Sequence, residues 1–316
     1  MLSRTADHLF WMARYTERAE NTARMLDVQV QTVLLPQAAE DTRLGWAGLL
    51  GISELIGDYT RQHGAIDPER VLDFMVRDPT NPSSILSCLR AARENARAVR
   101  GAITTEVWET VNQTWLEAQR LLADGLCGQD PAQIFEWVKH RSHLSRGVTS
   151  GTMLQDEAYH FLRIGTFLER ADNTARLLDV KFHALPADGR ATSGSKVPEN
   201  DFYHWSGVLS SVSGFEVYRK VYRDVITPER VAALLILRPD MPRSLAACLR
   251  EVDAHLRAVA HPQSGETLRR SGLLNAQLQY GRLDDIMATG LHAYLTHLLE
   301  RINDLGAGIS RDFLAL

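Results

Sequence analysis

Residues 17–28 read ERAENTARMLDV, and residues 169–180 read ERADNTARLLDV. Ten of these twelve positions are identical, although the two stretches lie 152 residues apart. Most of the repeated residues are polar, and the need to pack a hydrophobic core does not by itself preserve polar side chains. A repeat of this kind indicates an internally duplicated architecture.

The duplication continues beyond these two stretches. Three further segments return later in the chain: WAGLL at 46–50 as WSGVL at 205–209, PERV at 68–71 and again at 228–231, and PTNPSSILSCLR at 79–90 as PDMPRSLAACLR at 239–250. We therefore predict two similar units, residues 1–150 and 151–316, each close to a common domain size. The polar, Gly/Ser/Pro-rich stretch 186–200 is the best candidate for a loop or linker.

The composition is that of an ordinary water-soluble globular protein. Hydrophobic residues make up 45% of the chain, charged residues 23%, and the net charge is −4. This balance argues against a nucleic-acid binder, which usually carries a basic surface. The longest aliphatic run, residues 231–237, is too short to span a bilayer. Three cysteines without metal-type spacing fit a reducing cytoplasm, with Cys88 and Cys248 as small core residues and Cys127 standing alone.

Helical periodicity dominates the chain, and strand-like alternation is nearly absent. Helix starts are predicted at Asp67-Pro68, Asn81-Pro82, Thr104 and Asp130-Pro131, where a capping side chain or a first-turn proline precedes an apolar pattern. The ranges 44–58, 201–223, 228–237 and 283–310 are each predicted to form a single helix. The predicted fold class is all-α, with two tandem, similar multi-helix units packed into one helical bundle-like protein.

The repeated helix carries an unusual polar side. Phe10 and Val28 lie within that side, and Leu162 and Val180 hold the same places in the second copy. We therefore expect the polar side to be at least half buried. Glu17 lies two turns before Arg24, so its partner is expected on another helix. The predicted Glu-Arg network comprises Glu17, Arg18, Glu20, Asn21, Arg24, Asp27, Glu169, Arg170, Asp172, Asn173, Arg176 and Asp179.

Two interpretations of this network remain open. A set of structural ion pairs would preserve the residues in both copies, because breaking a buried pair is costly. Alternatively, the polar side forms a cleft that binds a charged small molecule or a partner's carboxylate or phosphate.

A second candidate site is specific to the first half. Its residues place several guanidinium groups and one carboxylate on one helix face, followed by an aromatic and an amide side chain on the next helix. This set comprises Arg90, Arg93, Glu94, Asn95, Arg97, Trp108 and Asn112. In the second half, residues 253–255 read DAH where residues 93–95 read REN. Such a face suits anionic ligands or acidic groups of a partner, or else is a solvated charged surface.

Weaker signals favour neither a metal nor a cofactor. Glu157-x-x-His160 matches one element of a di-iron helical bundle, but Thr5 replaces Glu157 in the first copy. The sequence shows none of the common phosphate-binding loops or nucleophile motifs. We therefore predict no metal and no cofactor, and find no recognisable catalytic machinery.

Several of these motifs together resemble the bacterial alpha-E family, a predicted α-helical domain with a conserved Glu-Arg motif. They are the dipeptides Glu17-Arg18 and Glu169-Arg170, Pro82-Ser83-Ser84, Arg93-Glu94-Asn95-Ala96-Arg97 and Trp108-Glu109-x-x-Asn112. The resemblance runs from about residue 2 to about residue 310. It implies a cytoplasmic bacterial protein whose genetic neighbours are circularly permuted ATP-grasp proteins and transglutaminase-like proteins.

The leading hypothesis is a helical accessory or substrate-handling protein acting with an ATP-grasp amide ligase, and with transglutaminase-like proteins as further partners. In this hypothesis Arg93, Glu94, Asn95 and Arg97 contact ligand or partner, while the Glu-Arg network orders the core. One alternative is an enzyme of amide or peptide metabolism that uses Glu17 or Glu169 as general acid or base. Another is a purely structural scaffold.

Overall fold

The structure is a computed structural model that describes residues 1–33, 39–123, 130–183 and 199–314. Within these ranges the chain is all-helical and contains no strand. The α-helices are α1 Ser3–Val33, α2 Ala39–Ile52, α3 Ile56–His63, α4 Pro68–Val76, α5 Ile85–Ala98, α6 Thr105–Leu121, α7 Pro131–Thr152, α8 Glu157–His183, α9 Glu199–Ser211, α10 Phe215–Tyr222, α11 Pro228–Ala232, α12 Leu245–Ala258, α13 Gly265–Gln279, α14 Leu283–Thr289 and α15 Leu291–Phe313. Most of the predicted linker 186–200, and Cys127, lie outside the described residues.

Helices α1 and α8 form the centre of the molecule and carry the two copies of the repeated sequence. They approach so closely that a Cβ atom added to Gly165 of α8 would lie 2.3 Å from the Phe10 carbonyl oxygen of α1. Phe10 is fully buried at this contact. The close approach brings the polar sides of both helices into the interior.

The other helices surround this central pair. Helices α5 and α7 pack against α1, while α12 and α15 pack against α8. Two shorter helices cross to the opposite partner, since α2 contacts α8 and α9 contacts α1. Apolar side chains from all of these helices join one core, in which Cys88 and Cys248 are both fully buried.

Several predicted helix starts are confirmed by the capping hydrogen bonds. Asp67 accepts a hydrogen bond from the Arg70 amide at 3.0 Å, Thr104 caps α6 and Asp130 caps α7. The predicted start at Asn81-Pro82 is wrong. Ser84 caps α5 instead, because the Asn81 side chain is held in the preceding turn by the Phe74 carbonyl and the Ser83 amide.

Three predicted single helices are interrupted. The prediction for 44–58 fails because α2 ends at Ile52, and Glu54 then adopts a left-handed conformation with φ 57°. The prediction for 201–223 fails in the same way at Ser213, with φ 50°. The range 283–310 is divided at Gly290, where φ is 91°. The range 228–237 is helical throughout, with Ala233–Leu237 in a π-helical turn. In the described residues, no helix is both long enough and apolar enough to span a membrane.

Candidate functional site

The Glu-Arg dipeptides of α1 and α8 exchange partners across the central helix pair. Arg170 donates two hydrogen bonds to the Glu17 carboxylate, from Nε to Oε1 and from Nη2 to Oε2, each at 2.8 Å. In the reciprocal pair, Arg18 Nε donates to Glu169 Oε1 at 2.5 Å. The prediction that Glu17 has its partner on another helix is therefore confirmed. Each glutamate is paired with the arginine of the other copy rather than with its own neighbour in sequence.

On the Glu17 side, further guanidinium groups surround two buried acids. Arg243, just before α12, donates to Glu17 at 2.9 Å, to Glu20 at 2.5 Å and to Asn21 Oδ1 at 2.8 Å. Arg146 of α7 contacts both Glu17 and Glu20, and Arg24 binds Glu20 at 2.7 Å. The arrangement leaves a cavity of only about 30 Å³ beside Glu17.

The arginines on this side favour the ionised form of the Glu17 and Glu20 carboxylates. Burial alone would raise the pKa of Glu17, but Arg170 and Arg243 outweigh it and hold that pKa well below its usual value. Burial and the charge of Glu17 both act to raise the pKa of Glu20, yet Arg243 and Arg146 bring it below its usual value. Both acids are therefore negatively charged at neutral pH within a cluster of arginines.

The far ends of the network are also anchored. Arg24 donates to Ser213 Oγ at 2.6 Å, and Arg176 binds Glu54 at 2.5 Å. These two partners are the left-handed residues that interrupt the predicted helices, so the interruptions position groups against the network. Two further contacts lie beyond them: an ion pair of Asp27 with Lys139 of α7, and a hydrogen bond between Asp179 and His292 of α15.

The Glu169 side is built from fewer cations. Arg14 Nε donates to Glu169 Oε2 at 2.6 Å, which complements the bond from Arg18. Burial acts to raise the pKa of Glu169, but Arg14 and Arg18 outweigh it, so the pKa lies below its usual value. Asp172, which corresponds to Glu20, is bound by Arg176 at 2.8 Å. Burial raises the pKa of Asp172, and Arg176 offsets this only in part.

A cavity of about 240 Å³ opens on the Glu169 side. Its lining is almost entirely polar and comes from α1, α8, α15 and the turns after α2 and before α5. The lining residues are Arg14, Arg18, Asn21, Thr22, Met25, Ile52, Ser53, Glu54, Ser83, Glu169, Asp172, Asn173, Arg176 and Asn303. A cavity needs only about 10–15 Å³ to hold one water molecule, so this volume admits a small ligand.

One buried group at the cavity has an unmet hydrogen-bonding need. Asn21 is 3% exposed, and its Oδ1 atom accepts from Arg243. Its Nδ2 atom has no hydrogen-bond partner among the described residues. Because an unpaired buried amide is costly, this donor favours an acceptor that the described residues do not supply.

The second predicted site forms a separate cluster between α5 and α6. Arg93 Nε donates to Asn112 Oδ1 at 3.1 Å and also binds Glu94, while Arg97 binds Glu94 at 2.7 Å. The Arg93 guanidinium lies over the Trp108 ring. The remaining two residues point elsewhere. Asn95 Oδ1 lies 2.8 Å from His8 of α1, and Arg90 is exposed.

The weak metal signal has a different explanation. Glu157 binds the amino group of Met1, and His160 Nδ1 lies 2.9 Å from His255 Nδ1. Among the residues with described positions, no group of three or more His, Cys, Asp or Glu side chains is arranged to hold a metal ion.

Sequence reasoning missed several residues that decide the site, namely Arg14, Arg146, Arg243, Ser83 and Asn303. One signal was present: the repeated segment reads Pro82-Ser83-Ser84 in one copy and Pro242-Arg243-Ser244 in the other. Arg146 and Asn303 lie on α7 and α15, where the sequence shows no repeated motif.

The described residues form an all-helical fold with the exchanged glutamate–arginine pairs at its centre. This is a helical protein organised by a Glu-Arg motif. The chain belongs to the Alpha-E family, described as a predicted alpha-helical domain with a conserved ER motif, which matches residues 1–314. The exchanged pairs at the centre of the molecule give this motif a structural meaning.

The chain is also similar to three curated mycobacterial proteins, each of which is named as an uncharacterized protein. One is from Mycobacterium bovis and two are from Mycobacterium tuberculosis, strains CDC 1551 and H37Rv. Each is 25% identical over 327 residues, which cover 95% of this chain and 35% of the relative. The chain thus spans about a third of the length of these relatives. No solved structure matches it.

Proposed function

We propose that this protein binds a small charged molecule in the Glu169 cavity and handles it as a substrate for a partner enzyme. The observation that carries the proposal is the cavity of about 240 Å³, lined by buried ionised groups and by the unpaired Asn21 amide. Ligand sites are concave and contain a few precisely held polar groups, and the ion pairs here hold such groups in place.

The partner proposed is a circularly permuted ATP-grasp amide ligase, with a transglutaminase-like protein as a second partner. This part of the proposal rests on the family resemblance, and the proposed setting is the bacterial cytoplasm. The α5–α6 cluster is the proposed contact surface, because Arg93, Arg97 and Trp108 combine guanidinium and aromatic groups, which are enriched in protein interfaces.

The chain is further proposed to consist of two similar units, residues 1–150 and 151–316. Three observations support this division: the repeated sequences, the exchange of Glu17–Arg170 with Glu169–Arg18, and the crossing of α2 and α9 to the opposite central helix. In this proposal the units share one core, and of the two described cavities the larger lies at the Glu169 site.

An acid–base role for Glu17 or Glu169 has less support. A general acid or base works best with a pKa near the working pH. The arginines around Glu17 and Glu169 hold both pKa values below the usual range for glutamate. The geometry therefore favours a role for these two acids in positioning arginines.

The direct test is co-purification of the tagged protein with the ATP-grasp protein, followed by an assay of ATP-dependent amide formation. Asp172→Asn should preserve co-purification but lower the stimulation of ligase activity, because it alters the cavity. Asp285→Asn, on the exposed part of α14, is the matched control and should change neither. The double change Arg93→Ala and Arg97→Ala should weaken co-purification. Failure to recover the ATP-grasp protein, together with unchanged ligase activity on adding the chain, would show that the proposal is wrong.

A further inference from the structure

One difference between the two polar sites is the guanidinium group of Arg243. Arg243 occupies the position that follows Pro242, and Ser83 occupies the matching position after Pro82. On the Glu17 side, the Arg243 guanidinium bridges Glu17, Glu20 and Asn21. On the Glu169 side, Ser83 is part of the cavity wall. The cavity therefore lies where a guanidinium group would complete the second site.

One acid of the cavity, Asp172, has fewer cationic partners than its counterpart Glu20. Glu20 has ion pairs with Arg24, Arg146 and Arg243. Within the described parts of the chain, its counterpart Asp172 forms one ion pair, with Arg176, which also binds Glu54. Burial accordingly raises the pKa of Asp172, whereas the pKa of Glu20 is lowered. A cation entering the cavity would find a carboxylate that is only partly neutralised.

An unpaired hydrogen-bond donor belongs to one residue of the cavity lining, Asn21. Asn21 uses its oxygen to accept from Arg243 on one side, and its Nδ2 atom lacks a partner within the described structure. Asn21 therefore lies between the filled site and the open one. A ligand that reaches Asn21 would carry an acceptor, such as a carboxylate or amide carbonyl, in addition to its cationic group.

We propose that the Glu169 cavity binds the guanidinium group of a small ligand, such as free arginine or an arginine-containing peptide end, against Asp172 and Glu169. The planar fork of a guanidinium group bridges two carboxylates, as Arg243 does at the equivalent position, whereas an ammonium group acts as a point charge. An acceptor on the same ligand binds Asn21 Nδ2. This inference rests on the proposed function, since it names the class of molecule that the cavity handles.

The volume agrees with a ligand of this size. Pockets for drug-sized molecules measure roughly 300–1,000 Å³. At about 240 Å³, the cavity suits an amino acid or the end of a peptide rather than a larger molecule.

Calorimetric titration of the purified full-length protein tests the inference with four probes: L-arginine, L-citrulline, agmatine and L-lysine. L-Arginine should bind. L-Citrulline, a neutral analogue of almost the same shape, should bind about 30-fold more weakly or worse, because a buried carboxylate then loses its cationic partner. Agmatine should bind more weakly than arginine, since it lacks the carboxylate acceptor. Equal binding of arginine and citrulline, or binding of lysine as tight as arginine, would overturn the inference.

Two variants locate the binding site. Ser83→Arg should abolish arginine binding and raise the melting temperature, because the new side chain supplies the missing guanidinium from within the chain. Ser210→Arg, at an exposed position of α9, is the matched control and should leave arginine binding intact. Asp172→Asn, which leaves Ser83 in place, should weaken arginine binding by about 30-fold or more. This variant still tests the inference if Ser83→Arg does not fold.

The outcomes separate this inference from the proposed function. If Asp172→Asn lowers the stimulation of the ligase but arginine does not bind, the substrate-handling function stands and the guanidinium ligand is wrong. If arginine binds in the cavity but Asp172→Asn leaves the ligase unaffected, the ligand is right and the proposed link to the ligase fails.

Discussion

At the scale of single residues, the Glu-Arg motif is an exchange between two helices. Glu17 and Glu169 lie beside Arg18 and Arg170 in sequence, yet each binds the arginine of the other copy. Glu17 is 1% exposed, so its charge is tolerated only because guanidinium groups replace its hydration. The motif therefore fixes the relative position of α1 and α8. The carboxylate that its arginine neutralises only in part is Asp172.

The substitution Glu17→Gln should reduce the free energy of unfolding by about 3–5 kcal/mol, because Arg170, Arg243 and Arg146 lose a shared buried partner. Urea denaturation followed by circular dichroism measures the change. Glu266→Gln is the control, since that acid pairs with arginines on an exposed helix face and its loss should leave the midpoint essentially unchanged. Equal effects of the two substitutions would contradict a buried structural network.

The same residues predict a loss of stability in acid. The pKa values of Glu17, Glu20 and Glu169 are lowered in the folded protein from a usual value of 4.5, so the unfolded chain takes up protons first as the pH falls. Their stabilising contribution is complete above about pH 4.5 and is lost as the pH falls towards the folded pKa values. Asp172 acts in the opposite direction. Its pKa is raised in the folded protein from a usual value of 3.8, so protonation of this carboxylate stabilises the folded state as the pH falls.

Within this network, the pKa values of Glu17, Glu20 and Glu169 are lowered and that of Asp172 is raised. The free energy of unfolding should therefore decrease as the pH falls from about 5 to about 3. Urea midpoints measured across this range should fall, and the fall should be smaller in Glu17→Gln. A flat profile in the unsubstituted protein would be incompatible with ionised, arginine-bound glutamates at the centre.

At the scale of helices, the contact between α1 and α8 depends on Gly165. An added Cβ would lie 2.3 Å from the Phe10 carbonyl oxygen and 3.2 Å from the Ala13 Cβ atom. Backbone atoms at the crossing of two long helices have little room to move, so a larger residue would separate the helices. That separation would lengthen the ion pairs between Glu17 and Arg170 and between Arg18 and Glu169.

We expect Gly165→Ala to lower the free energy of unfolding by about 1–3 kcal/mol through overpacking. Gly147→Ala, in the interior of α7 with open space around its Cβ position, should instead stabilise the protein by about 0.5–1 kcal/mol. The opposite signs make the comparison sensitive to the helix contact rather than to helix propensity. Thermal and urea denaturation of both variants measure it, and stabilisation by Gly165→Ala would rule out the close approach.

The helix interruptions show where sequence reasoning ends at this scale. Helical periodicity correctly predicted all-α structure and most helix starts. The breaks at Glu54 and Ser213 were missed, because residues other than glycine rarely adopt φ near 57° and 50°. The Ser213-Gly214 dipeptide is a turn signal beside one of them. Their contacts with Arg176 and Arg24 exist only after the helices have packed.

At the scale of the whole molecule, the repeat predicted that polar groups would be buried but not which groups would meet. Arg146 and Arg243 reach Glu17 and Glu20 from positions more than a hundred residues away in sequence. No periodicity relates such positions, so their pairing follows only from the tertiary fold. The replacement of Arg243 by Ser83 in the other copy was visible in the sequence, whereas the cavity that accompanies it was not.

The exchanged contacts predict that neither half of the chain folds alone. A first segment, residues 1–154, would keep Arg18 and α2 but lose Glu169 and α8, while residues 155–316 would keep Arg170 and α9 but lose Glu17 and α1. Each would expose a long apolar helix face and unpaired buried charges. Co-expression of the two segments should yield a one-to-one complex that unfolds cooperatively, whereas each segment alone should show no cooperative transition. Cooperative unfolding of either isolated segment would mean that the halves are independent domains, and the Glu-Arg exchange would then be an interface between domains instead of a shared core.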